Sequence, residues 1–347
     1  MKVLVTGGGG FIGSHAAIYF AQQGHSVTVL DNLSRHKNSN LPAEAANWNW
    51  NRLPKEIKKI EGSTTDTALT EKLAAEADLI IHTAAQVAAI KSIEDPRTDF
   101  ETNTLGTFNV LEGARKGGRK PIFIFCSTNK VYGDNVNKLP VTEGEKRYSF
   151  SDKKLDAEGI PETFPIDGCG RTPYGCSKAA ADLYVQDYGL RGWIRSGIFR
   201  MSTIYGLNQF GNAEQGWIAN FTISTALGRV WPVFGDGKQV RDPIFVEDLI
   251  RAWQMFIDKA DKLSGQVFNL GGGPKQNLSI LELKELLEKI SGKTVKINWG
   301  DWWPNDQKVY VSGISKAKEL LGWEPKISLE EGIGKLYKWI EDNRRLF

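Results

Sequence analysis

Apolar and polar positions along the chain predict strands that alternate with helices. The first six residues form a short apolar run that leads into the glycine-rich turn at 7–13. The next segment has a helical pattern as far as Gln23, and Gly24 suits the position just after a helix end. Residues 26–30 form a second apolar run. The start of the chain therefore predicts a strand, a tight turn, a helix and a second strand.

The same alternation continues through the middle of the chain. Further strands are predicted at 78–83, 121–126 and 196–200, with helices at 102–115 and from Pro173 onward. Strands that alternate with helices are typical of parallel sheets covered by crossover helices. We therefore predict an α/β fold with a Rossmann-type, doubly wound parallel sheet.

Regular alternation ends near residue 200, where glycine and tryptophan become more frequent. Two later helices begin with capping-box patterns, Ser279 to Glu282 and Ser328 to Glu331. This change predicts a second, smaller mixed α/β domain. We expect the first domain to comprise 1–200 plus about 241–268 and the second about 201–240 and 269–347.

Composition narrows the class of protein. The 347 residues carry a formal charge of +3 and no basic run, which argues against a nucleic-acid partner. No apolar stretch is long enough to span a membrane, and the chain begins at once with a strand, so we expect a cytoplasmic protein. Three cysteines and four histidines show no spacing typical of a metal site, so we expect no metal.

The glycine-rich turn has the spacing of a dinucleotide-binding fingerprint. Gly7, Gly10 and Gly13 stand between the first strand and helix, where backbone amides and the helix N-terminus favour a pyrophosphate. Asp31, about 20 residues on, ends the second strand and suits the adenosine ribose hydroxyls. The acid favours NAD over NADP, whereas Arg35 nearby weakens that preference.

A second pattern lies at the start of a helix that Thr172 caps and Pro173 begins. Tyr174 and Lys178 stand four residues apart, which places them on one helix face. A nearby ammonium lowers the pKa of a phenol toward the range of a general base. The alternative is an ordinary amphipathic helix. Thr128 ends the strand at 121–126 on the edge where such sheets bind ligands.

Together these motifs resemble those of the extended short-chain dehydrogenases/reductases, in the branch of NAD-dependent nucleotide-sugar epimerases and dehydratases. The resemblance covers essentially the whole chain. Within that branch, the motifs are most similar to those of CDP-hexose 2-epimerases. The motifs that carry the likeness lie at 127–134, 173–178, 215–217 and 235–242.

The resemblance implies a role for each matching residue. Thr128 would orient the sugar, Tyr174 would act as the acid/base, and Lys178 would bind the nicotinamide ribose and lower the tyrosine pKa. Cofactor contacts are expected from Gly7, Gly10, Phe11, Ile12, Gly13, Asp31, Asn32, Ser34, Arg35, Ser63, Thr64, Ala84, Ala85, Gln86, Asn103, Ser127, Tyr174 and Lys178. Substrate contacts are expected from Val87, Thr128, Asn129, Gln215, Trp217, Phe234, Arg241, Asp306 and Gln307.

Some of these positions have structural alternatives or depart from the family pattern. Asn103 could only cross-link helix backbone, Arg241 could be a surface ion-pair partner, and Trp217 could be a core residue. Trp303 stands where relatives often carry a second phosphate-binding arginine, and Ser63 replaces an aspartate aimed at adenine. These departures leave the two-arginine clamp and the adenine contact open.

The resemblance implies NAD-dependent epimerisation at C2, on substrates of the CDP-paratose/CDP-tyvelose or CDP-glucose/CDP-mannose type. The sugar would be oxidised transiently to a keto-sugar, would rotate, and would be reduced again. A UDP-sugar 4-epimerase is an alternative. A 4,6-dehydratase is disfavoured because Asn129 and Lys130 replace its Asp-Glu pair. An NAD-binding sensor or scaffold is the non-enzyme alternative. The role of Cys169 also stays open: it is either a second acid/base or a small buried residue.

The family also implies a quaternary structure. Its helices that correspond to 104–115 and 174–188 pair into an intersubunit four-helix bundle. We therefore expect a homodimer, with the first domain binding NAD and the second binding the nucleotide sugar.

Overall fold

The structure is a computed structural model that describes residues 1–34, 42, 45, 47–212, 215–303 and 306–347. The strands are β1 Lys2–Thr6, β2 Ser26–Asp31, β3 Lys58–Glu61, β4 Leu79–His82, β5 Ile122–Thr128, β6 Val141–Glu143, β7 Tyr148–Phe150, β8 Arg195–Met201, β9 Ile204–Tyr205, β10 Trp231–Phe234, β11 Val240–Arg241, β12 Ile244–Phe245, β13 Gln266–Leu270, β14 Leu278–Ser279 and β15 Ile297–Gly300.

Helices surround these strands. They are α1 Phe11–Gln22, α2 Trp48–Asn51, α3 Thr67–Ala75, α4 Ala89–Glu94, α5 Pro96–Phe100, α6 Gly106–Gly117, α7 Lys153–Glu158, α8 Pro173–Leu190, α9 Trp217–Ala226, α10 Val246–Ile257, α11 Ala260–Leu263, α12 Ile280–Ser291 and α13 Leu329–Asp342. Two π-helical turns lie at Glu101–Leu105 and Ala317–Leu321, and 3₁₀ segments lie at Asn129–Lys138 and Arg344–Leu346.

Seven strands form one parallel sheet in the order β13-β8-β5-β4-β1-β2-β3. The chain proceeds outward from β1 through β2 to β3, then returns to β4 and proceeds the other way. The reversal opens a crevice beyond the carboxyl ends of β1 and β4, which is where open α/β sheets bind ligands. The predicted Rossmann-type fold is confirmed.

Side-chain alternation along β1 explains how the sheet is covered on both faces. Val3 and Val5 belong to a hydrophobic cluster that also contains Trp253 of α10, whereas Leu4 belongs to the opposite cluster with Val185 of α8. Successive residues of a strand point to opposite faces, so an uninterrupted apolar strand requires two layers of helices.

Most predicted element ends agree with the structure. Thr172 caps α8 by accepting from the amide of Gly175, and Pro173 is the first helical residue. Ser279 and Glu282 form a complete capping box at α12. Ser328 caps α13, but Glu331 forms an ion pair with Lys335, so the predicted capping box there is only half formed.

The part of the chain after β8 contains most of the shorter sheets, while β6 and β7 pair before it. Strands β10 and β15 pair in parallel, and β11 pairs with β14 in antiparallel orientation. Strand β13 returns to the edge of the main sheet. We keep the division of the chain into two domains as a proposal, because one hydrophobic cluster extends from β1 to the C-terminal helix α13.

Candidate functional site

The turn after β1 packs so closely on its neighbours that only glycine fits. A Cβ atom at Gly7, whose φ is +73°, would lie 2.6 Å from the amide nitrogen of Ala84, and one at Gly13 would lie 2.2 Å from the Gly7 carbonyl oxygen. Helix α1 begins at Phe11 with Gly10 as an N-cap that makes no side-chain hydrogen bond. This uncapped helix end at the crevice suits a dinucleotide pyrophosphate.

Asp31 holds the same turn from the end of β2. Its carboxylate accepts from the amide of Gly9 at 2.9 Å and from the amide of Leu33 at 2.8 Å. The next residue, Asn32, accepts from the amide of Ser34. Asp31 therefore stands beside the glycine turn, as the fingerprint predicts. The predicted contact Arg35 lies outside the described residues.

The remaining predicted cofactor residues flank the crevice on two sides. Ser63 and Thr64 follow β3, and the Ser63 hydroxyl lies 2.8 Å from that of Thr65. Residues 84–86 follow β4 and are half-buried. The amide of Gln86 donates to the side-chain oxygen of Asn103 at 2.8 Å, which ties this loop to the helix behind it.

Asn103 is fully buried inside the π-helical turn and is saturated with hydrogen bonds. Its amide nitrogen lies 3.0 Å from the Gln86 carbonyl oxygen, from Asp99 Oδ1 and from Ser177 Oγ. The side chain thus joins the loop after β4, the end of α5 and the first turns of α8. The arrangement is consistent with both alternatives for Asn103, cross-linking of the backbone and support of the site. It aligns the Tyr174 helix with the crevice.

The predicted acid/base pair lies at the start of α8. The Tyr174 hydroxyl forms a hydrogen bond with Thr128, which is buried at the end of β5. Burial raises the pKa of Tyr174 to about 12, the hydrogen bond with Thr128 opposes that rise, and the charge of Asp99 adds to it. The tyrosine is therefore neutral at neutral pH in these surroundings.

Lys178 is buried one turn beyond Tyr174, and its ammonium lies 4.3 Å from the ring centroid of Phe125. Burial lowers the pKa of Lys178 to about 8, while Asp182 and Asp99 oppose the shift. The predicted lowering of the Tyr174 pKa is wrong for the protein surroundings alone, because desolvation of the phenol outweighs the helix spacing.

Ser127 faces away from the crevice. Its hydroxyl donates to Asp182 Oδ2 at 2.6 Å, and Asp182 forms a buried ion pair with Arg200 at 3.0 Å. Asp182 follows Lys178 by one helical turn. The polar network anchors the end of β5 to α8, so the structure places Ser127 behind the site, and its predicted cofactor contact stays a prediction.

A cavity of about 530 Å³ lies between the end of the main sheet and the shorter sheets. Asn129, which follows Thr128, and Thr172, which caps the Tyr174 helix, both line it. The predicted substrate residues that line it are Asn129, Gln215, Trp217, Phe234, Arg241, Asp306 and Gln307. Val87 is half-buried in the loop before the lining residue Ala89.

Arg241 is held at the cavity wall by protein acceptors. Its guanidinium donates to Asp306 Oδ1 at 2.7 Å, to the Gln307 carbonyl oxygen at 2.6 Å and to the Val240 carbonyl oxygen at 2.8 Å. The Gln307 amide in turn donates to the Gly133 carbonyl oxygen at 3.2 Å. Arg241 is therefore a cavity residue that also forms an ion pair.

Aromatic rings form another part of the wall. Phe234 and Trp303 pack with ring centroids 4.2 Å apart, and both line the cavity. Trp217 is half-buried, and its indole nitrogen donates to the Thr203 hydroxyl at 3.1 Å. Trp217 therefore combines the two roles considered for it, because it packs partly on the hydrophobic core and also lines the cavity.

Four charged residues in the described part of the site did not emerge as site residues from the motifs. Glu94, Lys130 and Arg171 line the cavity, and Asp99 is buried against Asn103 near Tyr174. Lys130 lies in a recognised motif and could have been identified there. The Asp99 position could not, because its approach to Tyr174 and Lys178 joins segments that are distant in sequence.

Cys169 lies beside the cavity wall that Gly170 and Arg171 form. Its thiol donates to the Ile166 carbonyl oxygen at 3.4 Å, and the Arg171 guanidinium donates to the sulfur at 2.7 Å. The same guanidinium donates to the Ile166 carbonyl oxygen. These contacts favour the structural alternative for Cys169 over a second acid/base.

Within the described ranges, no group of three or more His, Cys, Asp or Glu residues could hold a metal ion. Across the same residues, every helix is too short or too polar to cross a membrane.

Comparisons with known proteins support the interpretation of the motifs. Residues 3–271 match the model of the NAD dependent epimerase/dehydratase family. The CDP-paratose 2-epimerase of Salmonella typhi is 35% identical to this chain, over 98% of this chain and 99% of that protein.

Solved structures agree over the same length. The UDP-glucose 4-epimerase of Thermotoga maritima with UDP-glucose superposes with a TM-score of 0.81 and 30% identity, covering 99% of this chain and 100% of that one. The Thermus thermophilus UDP-glucose 4-epimerase in complex with NAD superposes with a TM-score of 0.79 and 29% identity, again covering 99% of this chain and 100% of that one. The fingerprint, its close-packed glycine turn and the matched family model agree, and the cofactor is NAD. The chain is a member of the NAD-dependent epimerase/dehydratase family of nucleotide-sugar enzymes.

Proposed function

We propose that this enzyme epimerises a CDP-linked hexose at C2, as in the conversion between CDP-paratose and CDP-tyvelose or between CDP-glucose and CDP-mannose. The observation that carries the choice of C2 is the 35% identity to a CDP-paratose 2-epimerase over almost the full length of both chains. The 4-epimerases among the solved structures are 30% and 29% identical over 99% of this chain, and they define the principal alternative.

The geometry supports proton transfer at a sugar hydroxyl. We propose that the positive charge of the bound oxidised nicotinamide would lower the pKa of Tyr174 from its raised value, so that the phenolate takes the proton of the C2 hydroxyl and later returns it, with Thr128 as its hydrogen-bond partner. Bound NAD would supply the hydride acceptor, and the same hydride would return to the sugar. Asn103 would keep the first turns of α8 in register with the crevice through Ser177.

Inversion requires that the sugar present its other face before reduction. We propose that the keto-sugar rotates within the cavity of about 530 Å³, which the residues after Thr128 and before Tyr174 help to line. Lys178 would hold the nicotinamide ribose from its buried position in α8. The cofactor roles of Gly7, Gly13 and Asp31 follow from the close-packed turn described above.

A dehydratase is a weaker candidate. Elimination of water needs an extra acid and base, whereas the cavity residues directly after Thr128 are Asn129 and Lys130. Neither side chain can replace a carboxylic acid and carboxylate pair. This composition supports simple epimerisation over elimination.

Substrate profiling tests the proposal. The purified protein would be incubated with CDP-, UDP-, GDP- and ADP-hexoses, and the products would be separated by chromatography and assigned by NMR. We expect inversion at C2 of a CDP-hexose. Inversion at C4 of a UDP-hexose would contradict the proposed specificity. Failure to convert every sugar nucleotide would favour the sensor or scaffold alternative.

We also propose a homodimer that pairs α6 and α8 with the same helices of a second copy. Large apolar side chains lie exposed on α8, including Leu183 at 52% and Tyr184 at 46% exposure. Tyr184 packs edge-to-face on Phe108 at 5.6 Å, which joins the two helices into one surface. An exposed apolar patch of this kind is typical of an interface.

A further inference from the structure

Among the described residues that line the cavity, one cation has a side chain that forms neither a hydrogen bond nor an ion pair with the protein. The charged residues that line the cavity are Glu94, Lys130, Arg171, Arg241 and Asp306. Among the residues that the structure describes, Arg241 is paired with Asp306 at 2.7 Å, and both are largely buried. Because the charge of Asp306 offsets that of Arg241, this ion pair offers little net positive charge to an anionic ligand.

Arg171 is also occupied by the protein. Its guanidinium donates to the Ile166 carbonyl oxygen and to the Cys169 sulfur, both in the loop outside the cavity. The side chain therefore serves mainly to hold this loop against the start of α8. It is a weaker candidate for a ligand contact than a side chain without such bonds.

Lys130 differs from both arginines. It is half-buried at the start of the 3₁₀ segment that follows β5, and its backbone amide donates to Thr128 Oγ1 at 3.2 Å. In the described part of the chain, no acceptor lies within hydrogen-bonding distance of its ammonium and no carboxylate pairs with it. Burial lowers the pKa of Lys130, while the charge of Asp306 opposes the shift and that of Arg241 adds to it.

The residue at the position where the resemblance implies a second phosphate-binding arginine carries no charge. That position is Trp303, whose ring packs on Phe234 with centroids 4.2 Å apart. The pyrophosphate of a nucleotide sugar carries two negative charges. Arg241, already paired with Asp306, cannot balance them alone, and burial of unbalanced charge is costly.

We propose that Lys130 binds the sugar-proximal phosphate of the substrate, together with Arg241, and replaces the second arginine of the phosphate site. The proximity to Thr128 favours the phosphate attached to the sugar over the one attached to the nucleoside, because Thr128 lies where the sugar reacts. This inference rests on the proposed function in requiring a nucleoside diphosphate group, but not on the choice of base or of carbon.

Calorimetric titration of the NAD-loaded enzyme with CDP, CMP, UDP and UMP tests the role of Lys130. For wild type we expect the second phosphate to strengthen binding. Lys130→Met should weaken diphosphate binding by roughly 10-fold to 100-fold, the range for a charge-assisted hydrogen bond, and should change monophosphate binding much less. Lys130→Arg should retain most of the diphosphate affinity. Lys154→Met, which removes an exposed positive charge from α7, is the matched control and should behave as wild type.

The outcomes separate this inference from the proposed function. Equal losses for CDP and CMP, or no loss for either, would overturn the role of Lys130. A lower turnover rate with unchanged nucleotide affinity would also overturn it, since that pattern indicates a role at the sugar. Binding of UDP and not CDP would contradict the proposed base, and the UDP to UMP comparison would then decide the role of Lys130. Absence of binding to both diphosphates would contradict both proposals.

Discussion

Asn103 and Ser177 are joined by a hydrogen bond of 3.0 Å between the Asn103 side-chain nitrogen and the Ser177 hydroxyl oxygen. Ser177 Oγ also donates to the carbonyl oxygen of Tyr174 at 3.1 Å, so the buried asparagine is two bonds from the residue proposed to do acid/base chemistry. Asn103 lies within a π-helical turn, a distortion often found at functional sites. The π turn thus provides a fixed point for the start of α8.

Asn103→Ala should lower the free energy of unfolding by about 1–3 kcal/mol, because it leaves the buried amide of Gln86 without its acceptor. Ser177→Ala is the milder comparison and should cost about 1 kcal/mol. Urea denaturation at a fixed NAD concentration measures both. An Asn103→Ala protein as stable as wild type would show that water replaces these bonds at no cost.

Tyr174→Phe should retain nucleotide-sugar binding and lose roughly 10²-fold to 10⁴-fold in rate, the range for a positioned acid/base. The loss should appear in kcat and not in KM, because the hydroxyl accepts the proton in the transition state and contributes little to binding of the substrate. Tyr337→Phe, in α13 and outside both the cavity and the proposed dimer face, is the control. A near-native rate for Tyr174→Phe would assign the chemistry to another group.

Thr128→Val should move the pH profile of kcat/KM to higher pH. The hydrogen bond with Thr128 lowers the pKa of Tyr174, so its removal raises that pKa and the phenolate forms at higher pH. Rates of the NAD-loaded enzyme from pH 6 to pH 10 test the shift, because the positive charge of the bound nicotinamide should lower the pKa of Tyr174 toward this range. Thr142→Val, an exposed substitution in β6, should leave the profile in place. Profiles that coincide for wild type and Thr128→Val would contradict the proposed coupling.

Leu183→Glu should convert the proposed dimer into a monomer. The leucine is 52% exposed on the apolar face of α8, where a second copy would bury it and a buried carboxylate would lack a partner. Light scattering gives the mass of each form. Val230→Glu, at a residue that is 50% exposed outside α6 and α8, should keep the wild-type mass. A monomeric wild-type protein would remove the dimer proposal.

Substrate labelled with deuterium at C2 should give product that keeps the label at C2. The hydride that leaves the sugar is the one that returns, so solvent should contribute no hydrogen to carbon. NMR or mass spectrometry of the product measures the label, and turnover in heavy water with unlabelled substrate is the control. Loss of label from C2, or deuterium appearing at C3, would favour enolisation of the ketone over rotation.

The sequence alone determined the features that neighbouring residues encode. The order of strand, glycine turn and helix, the Thr172 cap and the Tyr174 and Lys178 spacing all depend on short-range sterics and hydrogen bonds. Such interactions act between residues a few positions apart, so the amino-acid sequence is enough to predict them. The Rossmann-type sheet and the position of the NAD turn followed from them.

Only the tertiary structure decided what surrounds these groups. The pKa of Tyr174 is raised to about 12, against the direction that the helix spacing predicts, because desolvation depends on every element that packs around the phenol. Ser127 faces Asp182, and the Arg241 charge is paired with Asp306, whereas Lys130 has no partner among the described residues. These relations join segments distant in sequence, and burial and charge balance are set only when the fold brings those segments together.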